Sequence, residues 1–252
     1  MREAVLEREY GGKTVFGACI GVMMLETRFP RVLGDVGNAG TWPFPVQFRI
    51  VRGASPHRVI RNRAAGLVEG FIEAGRDLVA HGVDALTTNC GFLSLVQEEI
   101  QDAVGVPVAA SALMQIPAIN ALLPTGKKAG ILTISQEHLS EDHLVAANVP
   151  LDTPIAGTDG GREFSRKILD DQPEIDFALC QDDLLDAAKG LVESHRDIGA
   201  VVLECTNMVP FAADIRKATG LPVFSIYTHI CWLQSGLLPR QFTFHLHDPR
   251  RN

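Results

Sequence analysis

The chain repeats part of itself at a spacing of 115 residues. Cys90 and Cys205 differ by 205 − 90 = 115, and Ile100/Ile215, Gly105/Gly220, Pro107/Pro222 and Val108/Val223 stand at the same offset. Residues 83–124 and 198–239 compared without gaps also match at Ala85/Ala200, Ala103/Ala218 and the three positions of Leu122-Leu123-Pro124 and Leu237-Leu238-Pro239, ten identities in all. Chance would give roughly three in such a window, so the pattern reads as a duplication. The repeated unit is a strand, a cysteine, a helix, a Gly-x-Pro-Val strand, a helix and Leu-Leu-Pro. Lys13 and Lys128 share the offset, which places the start of the repeat there.

Hydrophobic patterning fills in the unit. Short apolar runs at Thr14–Ile20, Phe44–Val51, Ala85–Thr88, Val106–Ala109, Ala129–Ile134, Ala200–Leu203 and Val223–Ile226 read as strands. Helical patterns are expected over Ser55–His81, Phe92–Val104, Ala112–Leu122, Gln136–Ala147, Asp182–His195, Pro210–Thr219 and Thr228–Leu237. Continuous apolar strands alternating with helices imply parallel sheet covered on both faces. The fold class expected is therefore α/β: two pseudo-symmetric, doubly wound parallel-sheet domains related by internal duplication, with the active site in the cleft between them. The expected units are residues 1–111 with 228–252, and residues 112–227.

Such sheets bind small molecules beyond the carboxyl ends of their strands. Two loops stand out there. Glu26–Phe44 (ETRFPRVLGDVGNAGTWPF) is too long for a plain connection, and Gly157–Gly161 (GTDGG) is either a turn or a binding loop.

Composition limits the function classes. The 252 residues carry a formal net charge of −7, the opposite of the basic footprint of a nucleic-acid binder. No apolar run of about 18 residues exists to span a membrane, and the charged start MREAVLEREYGGK lacks a signal-peptide core, so the cytoplasm is the expected location. The five cysteines, at 19, 90, 180, 205 and 231, form neither a disulfide framework nor a metal-ligand spacing.

The repeat separates two of the five. Cys90 and Cys205 each follow a strand and precede a helix, where N–H groups and the helix dipole favour a thiolate and hold anions. Two such units facing each other would bring both thiols to one cleft from opposite sides. That arrangement removes a proton from one face of a carbon and returns one to the other. Cys19, Cys180 and Cys231 read as packing residues.

The segments Thr87–Phe92 (TTNCGF) and Leu203–Met208 (LECTNM) resemble the two cysteine motifs of the aspartate/glutamate/hydantoin racemase superfamily. The resemblance implies two α/β domains, a site between them that uses no cofactor, a C-terminal helix returning to the first domain, and a homodimer or higher homo-oligomer. It makes Cys90 and Cys205 the acid/base thiols, with Asn89, Gly91, Thr206 and Asn207 holding a substrate carboxylate and Phe92 beside them. Departures are plain: Cys90 is followed by Gly91-Phe92 rather than Asn-Thr, Asn207 stands where the amino-acid racemases have His, and the Asp-Ser after the first strand is missing.

Further candidates for the substrate site are Thr27, Ser111 (equally a helix cap), and Arg28 and Arg31 for a distal carboxylate. Glu204 either tunes the neighbouring thiol or is structural, and His229 reads as packing. The expected function is a racemase or epimerase of a small amino acid, carboxylate or hydantoin, without metal and without nucleic-acid or membrane partners. The alternatives are a decarboxylase of the arylmalonate type, an isomerase of the maleate type, or a non-catalytic small-acid binder.

Overall fold

The computed structural model describes residues 10–242. Two four-stranded, all-parallel sheets form its frame. The first contains β1 (Ile20–Leu25), β2 (Val46–Val51), β3 (Ala85–Thr88) and β4 (Val108–Ala109) in the order β2-β1-β3-β4. The second contains β5 (Lys128–Thr133), β6 (Ile155–Gly157), β7 (Ile198–Leu203) and β8 (Val223–Phe224) in the equivalent order β6-β5-β7-β8. Identical strand order in both sheets is what the duplication requires.

Helices cover the sheets: α1 (Val68–Ala80), α2 (Gln97–Val104), α3 (Ile116–Leu122), α4 (Glu141–Ala146), α5 (Phe164–Leu169), α6 (Phe177–Ser194), α7 (Ala212–Thr219) and α8 (Ile226–Leu237). All residues of β1 and β3 are buried. Each fully buried large aliphatic chain, such as Ile20, Leu86 or Ile131, contributes ~1.5–3 kcal/mol. The same chain reversal ends α2 and α7: Gly105 and Gly220 both adopt φ 72° and donate their N–H to Gln101 and Arg216. Only glycine enters that left-handed region without strain.

The repeat is not one constant offset. Ile20 pairs with Ala85 and Ala129 with Ala200, so β1 and β5 correspond at 129 − 20 = 109 residues while β3 and β7 correspond at 115. Gly21 and Gly130 are equivalents on this register. A Cβ on Gly21 would stand 2.8 Å from Leu86, and one on Gly130 would stand 2.7 Å from Ile198. Six residues of length difference therefore lie in the connections between these strands.

This corrects several expectations. The first strand is Ile20–Leu25 rather than Thr14–Ile20, so Lys13 does not head it; its ammonium instead donates to the Gly82 carbonyl at 2.9 Å. Within Thr14–Leu25 the buried end forms the strand, while residues 14–17 are exposed. The stretch Ser55–His81 is not one helix: His57–Arg61 form a π-turn, Arg63 and Ala64 turn left-handed, and α1 begins at Val68. Six-residue 3-10 segments, two turns each, occupy Gly91–Val96 and Thr206–Phe211 and lead directly into α2 and α7. The three-residue β6 has too little pattern to announce itself. The Gly157–Gly161 turn closes onto Asp183, whose carboxylate accepts the N–H groups of Arg162, Glu163 and Phe164, so it serves as a connection.

Gln115 Nε2 donates to the Ser225 carbonyl at 2.9 Å and Thr228 Oγ1 donates to Gln115 Oε1 at 3.0 Å, joining α8 to the segment that leaves the first sheet. Tyr227 of α8 stacks on Trp42, which follows β1 in the chain. Residues 243–252 of the expected first domain, and residues 1–9 of the charged start, lie outside the described residues. Among the described residues no helix is long and apolar enough to cross a membrane.

Candidate functional site

Cys90 and Cys205 sit at equivalent places, each the second of two residues between the end of a central strand and a 3-10 segment. Both are buried, at 8% and 7% exposure, and both line one pocket. Its first-half wall is Leu25, Phe29, Pro56, Ile60 and Asn89–Phe92; its second-half wall is Ile134, Ile168, Glu204, Cys205 and Asn207. The cavity between them is tight, about 20 Å³, room for roughly one water, so a substrate has to spread these walls to enter.

Backbone and side chains hold the first thiol rigidly. The Thr88 hydroxyl donates to the Ala110 carbonyl at 2.8 Å and accepts the Cys90 N–H at 3.2 Å. Asn89 spends its amide oxygen on the Leu25 N–H at 2.7 Å. Thr206, fully buried, donates to the Asn89 carbonyl at 2.7 Å, so its hydroxyl joins the two halves. Thr206 therefore shapes the pocket without lining it.

The second thiol heads a chain of polar contacts. Its Sγ donates to Asn207 Oδ1 at 3.6 Å; Asn207 Nδ2 donates to Asp35 Oδ2 at 2.6 Å; Arg31 binds Asp35 Oδ1 at 2.7 Å. Arg31 also donates to Thr27 Oγ1 at 2.8 Å and covers the Phe29 ring at 4.6 Å. The buried Arg31–Asp35 pair is thus a brace for Asn207. Asp35 was not among the residues singled out by sequence. Its one sequence signal is the Asp-Val-Gly turn, in which its own carboxylate caps the Gly37 N–H.

The structure does not bring every candidate together. Thr27, Arg28 and Ser111 do not line the pocket. Thr27 is engaged by Arg31, and Arg28 is 69% exposed and paired with Asp171. Ser111 caps the turn after β4 by accepting the Leu113 N–H, its capping reading. With Arg31 committed to Asp35, no arginine or lysine among the described residues lines the pocket to meet a distal carboxylate. His229 is buried and stacks on Trp232, as a packing residue does. Cys19 and Cys180 are buried and Cys231 half-buried, all outside this pocket. Among the described residues no group of three or more His, Cys, Asp or Glu is placed to hold a metal ion.

The electrostatics reverse one expectation. Burial, and then the Glu204 carboxylate, push both thiols above their ordinary range, outweighing the N–H groups of Phe92 and Asn207 that favour the thiolate. The turns are short 3-10 turns rather than long helices, so their dipole is weak against desolvation. At rest both cysteines are neutral thiols. Glu204 itself is fully buried and pushed up to about 7 by burial, against the Thr133 and Ile134 contacts that lower it.

Two thiols facing one pocket from the matching ends of duplicated parallel sheets define an α/β protein of the two-cysteine racemase type. A family description for Asp/Glu/Hydantoin racemase matches residues 61–233, and the chain belongs to that family. The dimethylsulfoniopropionate lyase of Durusdinium sp. clade D is 27% identical over 82% of this chain and 71% of its own length. Dimethylsulfoniopropionate lyase 7 of Emiliania huxleyi (strain CCMP1516) is 27% identical over 83% of this chain and 64% of its own, so the chain spans under two thirds of that relative. The allantoin racemase from Klebsiella pneumoniae shares the fold with a TM-score of 0.60 at 15% identity, over 90% of this chain and 97% of that one. Arylmalonate decarboxylase does so with a TM-score of 0.55 at 16% identity, over 88% and 94%.

Proposed function

We propose that the protein is a cofactor-independent enzyme that moves a proton at the carbon next to a carboxylate, with Cys90 and Cys205 as its base and acid. The observation that carries this reading is the pair of equivalent buried thiols in one pocket. The substrate carboxylate would sit on the first N–H groups of the two turns, at Gly91–Phe92 and Thr206–Asn207, beside the thiols that the Phe92 and Asn207 N–H groups already face. Negative charge growing on that carboxylate as the proton leaves is stabilised by the same fixed donors.

The reaction that best fits the pocket is β-elimination from a sulfonium-bearing propionate, the chemistry suggested by the lyase relatives. One cysteine, as thiolate, takes the proton from the α-carbon. The electron pair forms the carbon–carbon double bond while the C–S bond breaks, releasing dimethyl sulfide and leaving acrylate. A sulfonium needs no arginine partner, and the pocket wall includes the aromatic Phe92 instead. The second cysteine, as a neutral thiol, would orient the substrate from the opposite side, and the proton taken by the first returns to solvent before the next turnover.

Racemisation is the second reading, favoured by the symmetric placement of the thiols, because both faces of one carbon are then within reach of a thiol. It shares the first step and differs only in where the carbanion's electron pair goes. The lack of a lining cation directs either reading to monocarboxylates rather than aspartate or glutamate. Incubation with dimethylsulfoniopropionate and, separately, with chiral amino acids and hydantoins separates the outcomes by NMR. Acrylate and dimethyl sulfide support elimination, loss of optical activity supports racemisation, and inertness to all of them contradicts both.

A further inference from the structure

Asn89 and Glu204 are counterparts in the duplication, each immediately ahead of a cysteine at 204 − 89 = 115. Asn89 accepts the Leu25 N–H at the end of β1. Glu204 faces the equivalent group, the Ile134 N–H at the end of β5, and accepts the Thr133 hydroxyl on Oε2 at 2.8 Å. The structural duty of the position is thus met by a neutral amide in the first half. In the second half the chain places an ionisable group there, fully buried, with Oε1 lacking any hydrogen-bond partner.

That free oxygen lies against Gly91, the residue after Cys90. Glu204 lies against the Cα of Gly91 so closely that a side chain on Gly91 would collide with both its carboxyl and its carbonyl oxygen. It lines the same pocket as Cys90 and Cys205. The charged and titratable groups around it are those two thiols, with Asp35 acting on Cys205 and Arg31 on Cys90. Among the described residues no cation contacts the Glu204 carboxyl, so an ionised Glu204 would leave a buried charge with one oxygen unpaired.

We propose that Glu204 works as a neutral carboxylic acid, its Oε1 proton directed into the pocket, and that this proton permits one of the two thiols to ionise. Carboxylate and thiolate compete for one negative charge in a space that tolerates one. When Glu204 holds the proton the charge can rest on sulfur, and the acid O–H becomes a donor for the thiolate or for the substrate carboxylate. When Glu204 is ionised, ionisation of either thiol is opposed and an incoming carboxylate is repelled. Glu204 is a positioning residue for the thiol pair. The proposal rests on the two-thiol reading of the site, but its test needs no substrate and so stands or falls separately.

The test compares the parent protein with Glu204→Gln, which keeps the amide that Asn89 shows to be sufficient. Reaction of Cys90 and Cys205 with iodoacetamide is followed peptide by peptide across pH. The expected result is a lower thiol midpoint in Glu204→Gln, with alkylation at about pH 8 accelerated roughly tenfold or more, the equivalent of one pKa unit. Superimposable profiles would overturn the proposal. A second measurement needs no variant: the infrared carbonyl band of a protonated carboxylic acid should persist in the parent up to near neutral pH. Disappearance of that band in the ordinary carboxylate range would overturn it equally.

Discussion

Thr206 donates its hydroxyl hydrogen to the carbonyl of Asn89 at 2.7 Å, so the residue after one cysteine is bound to the residue before the other. A bond spanning 117 residues of sequence thereby fixes how the two thiols face each other. Removing it with Thr206→Val leaves a buried carbonyl without its donor, which costs about 1–3 kcal/mol. We expect a lower urea midpoint and a fall in activity larger than the stability loss explains. Thr206→Ser, which keeps the hydroxyl, should recover most of both.

The brace behind Cys205 gives a second expectation. Asp35→Asn removes the anion that holds Arg31 and leaves a buried guanidinium short of its partner, a loss of about 3–5 kcal/mol for a buried pair broken on one side. Asn207→Ala instead frees Cys205 and takes one donor from Asp35, while the Arg31–Asp35 pair stays closed. Steady-state kinetics should show Asn207→Ala lowering kcat with the fold intact by circular dichroism, whereas Asp35→Asn should also lower the thermal midpoint.

Gly91, which is buried, and Gly190, which is exposed on α6, separate crowding from helix preference. A Cβ on Gly91 meets Glu204 backbone, which cannot swing away, while one on Gly190 in α6 meets nothing within 4 Å. Gly91→Ala should be poorly folded or inactive. Gly190→Ala should raise stability by about 0.5–1 kcal/mol, measured by chemical denaturation.

Stability against pH should carry the mark of His143. Burial lowers its pKa from 6.5 to about 4, so it stays neutral in the folded chain while the unfolded chain takes up a proton below about 6.5. Its contribution is fully present above that pH and is lost as pH falls towards about 4, by roughly 3 kcal/mol in all. Glu204 works in the opposite direction. Its folded pKa is raised from 4.5 to about 7, so its contribution is present below about 4.5 and is lost as pH rises through about 7. His143→Gln keeps the capping role of the side chain at the start of α4, which accepts the Ser140 N–H. Urea midpoints at about pH 7 and 5 should differ less in this variant than in the parent.

The sequence carried the duplication, the parallel α/β class and both cysteines, because those signals are local: a strand, a thiol, a turn and a Gly-x-Pro-Val strand at one spacing. It misplaced β1, because the apolar run from Thr14 to Leu25 is unbroken and only tertiary burial selects its second half. The extra six residues between the strand pairs hid the true correspondence of Gly21 and Gly130, since a fixed offset cannot reveal an insertion. Asp35 was invisible for another reason. Its importance comes from Asn207, 172 residues away, and no local pattern encodes that meeting. Arg28 and Arg31 looked alike in the loop, but one is solvated and the other is locked onto Asp35.

The central claim is that Cys90 and Cys205 together exchange a proton at the carbon beside a carboxylate. Incubating the parent, Cys90→Ser and Cys205→Ser with dimethylsulfoniopropionate in D2O, and following both product formation and deuterium at the α-carbon by NMR, tests it directly. The account predicts turnover or α-carbon exchange in the parent, and a loss of about 100-fold or more in each single variant. Undiminished exchange in either variant would contradict it.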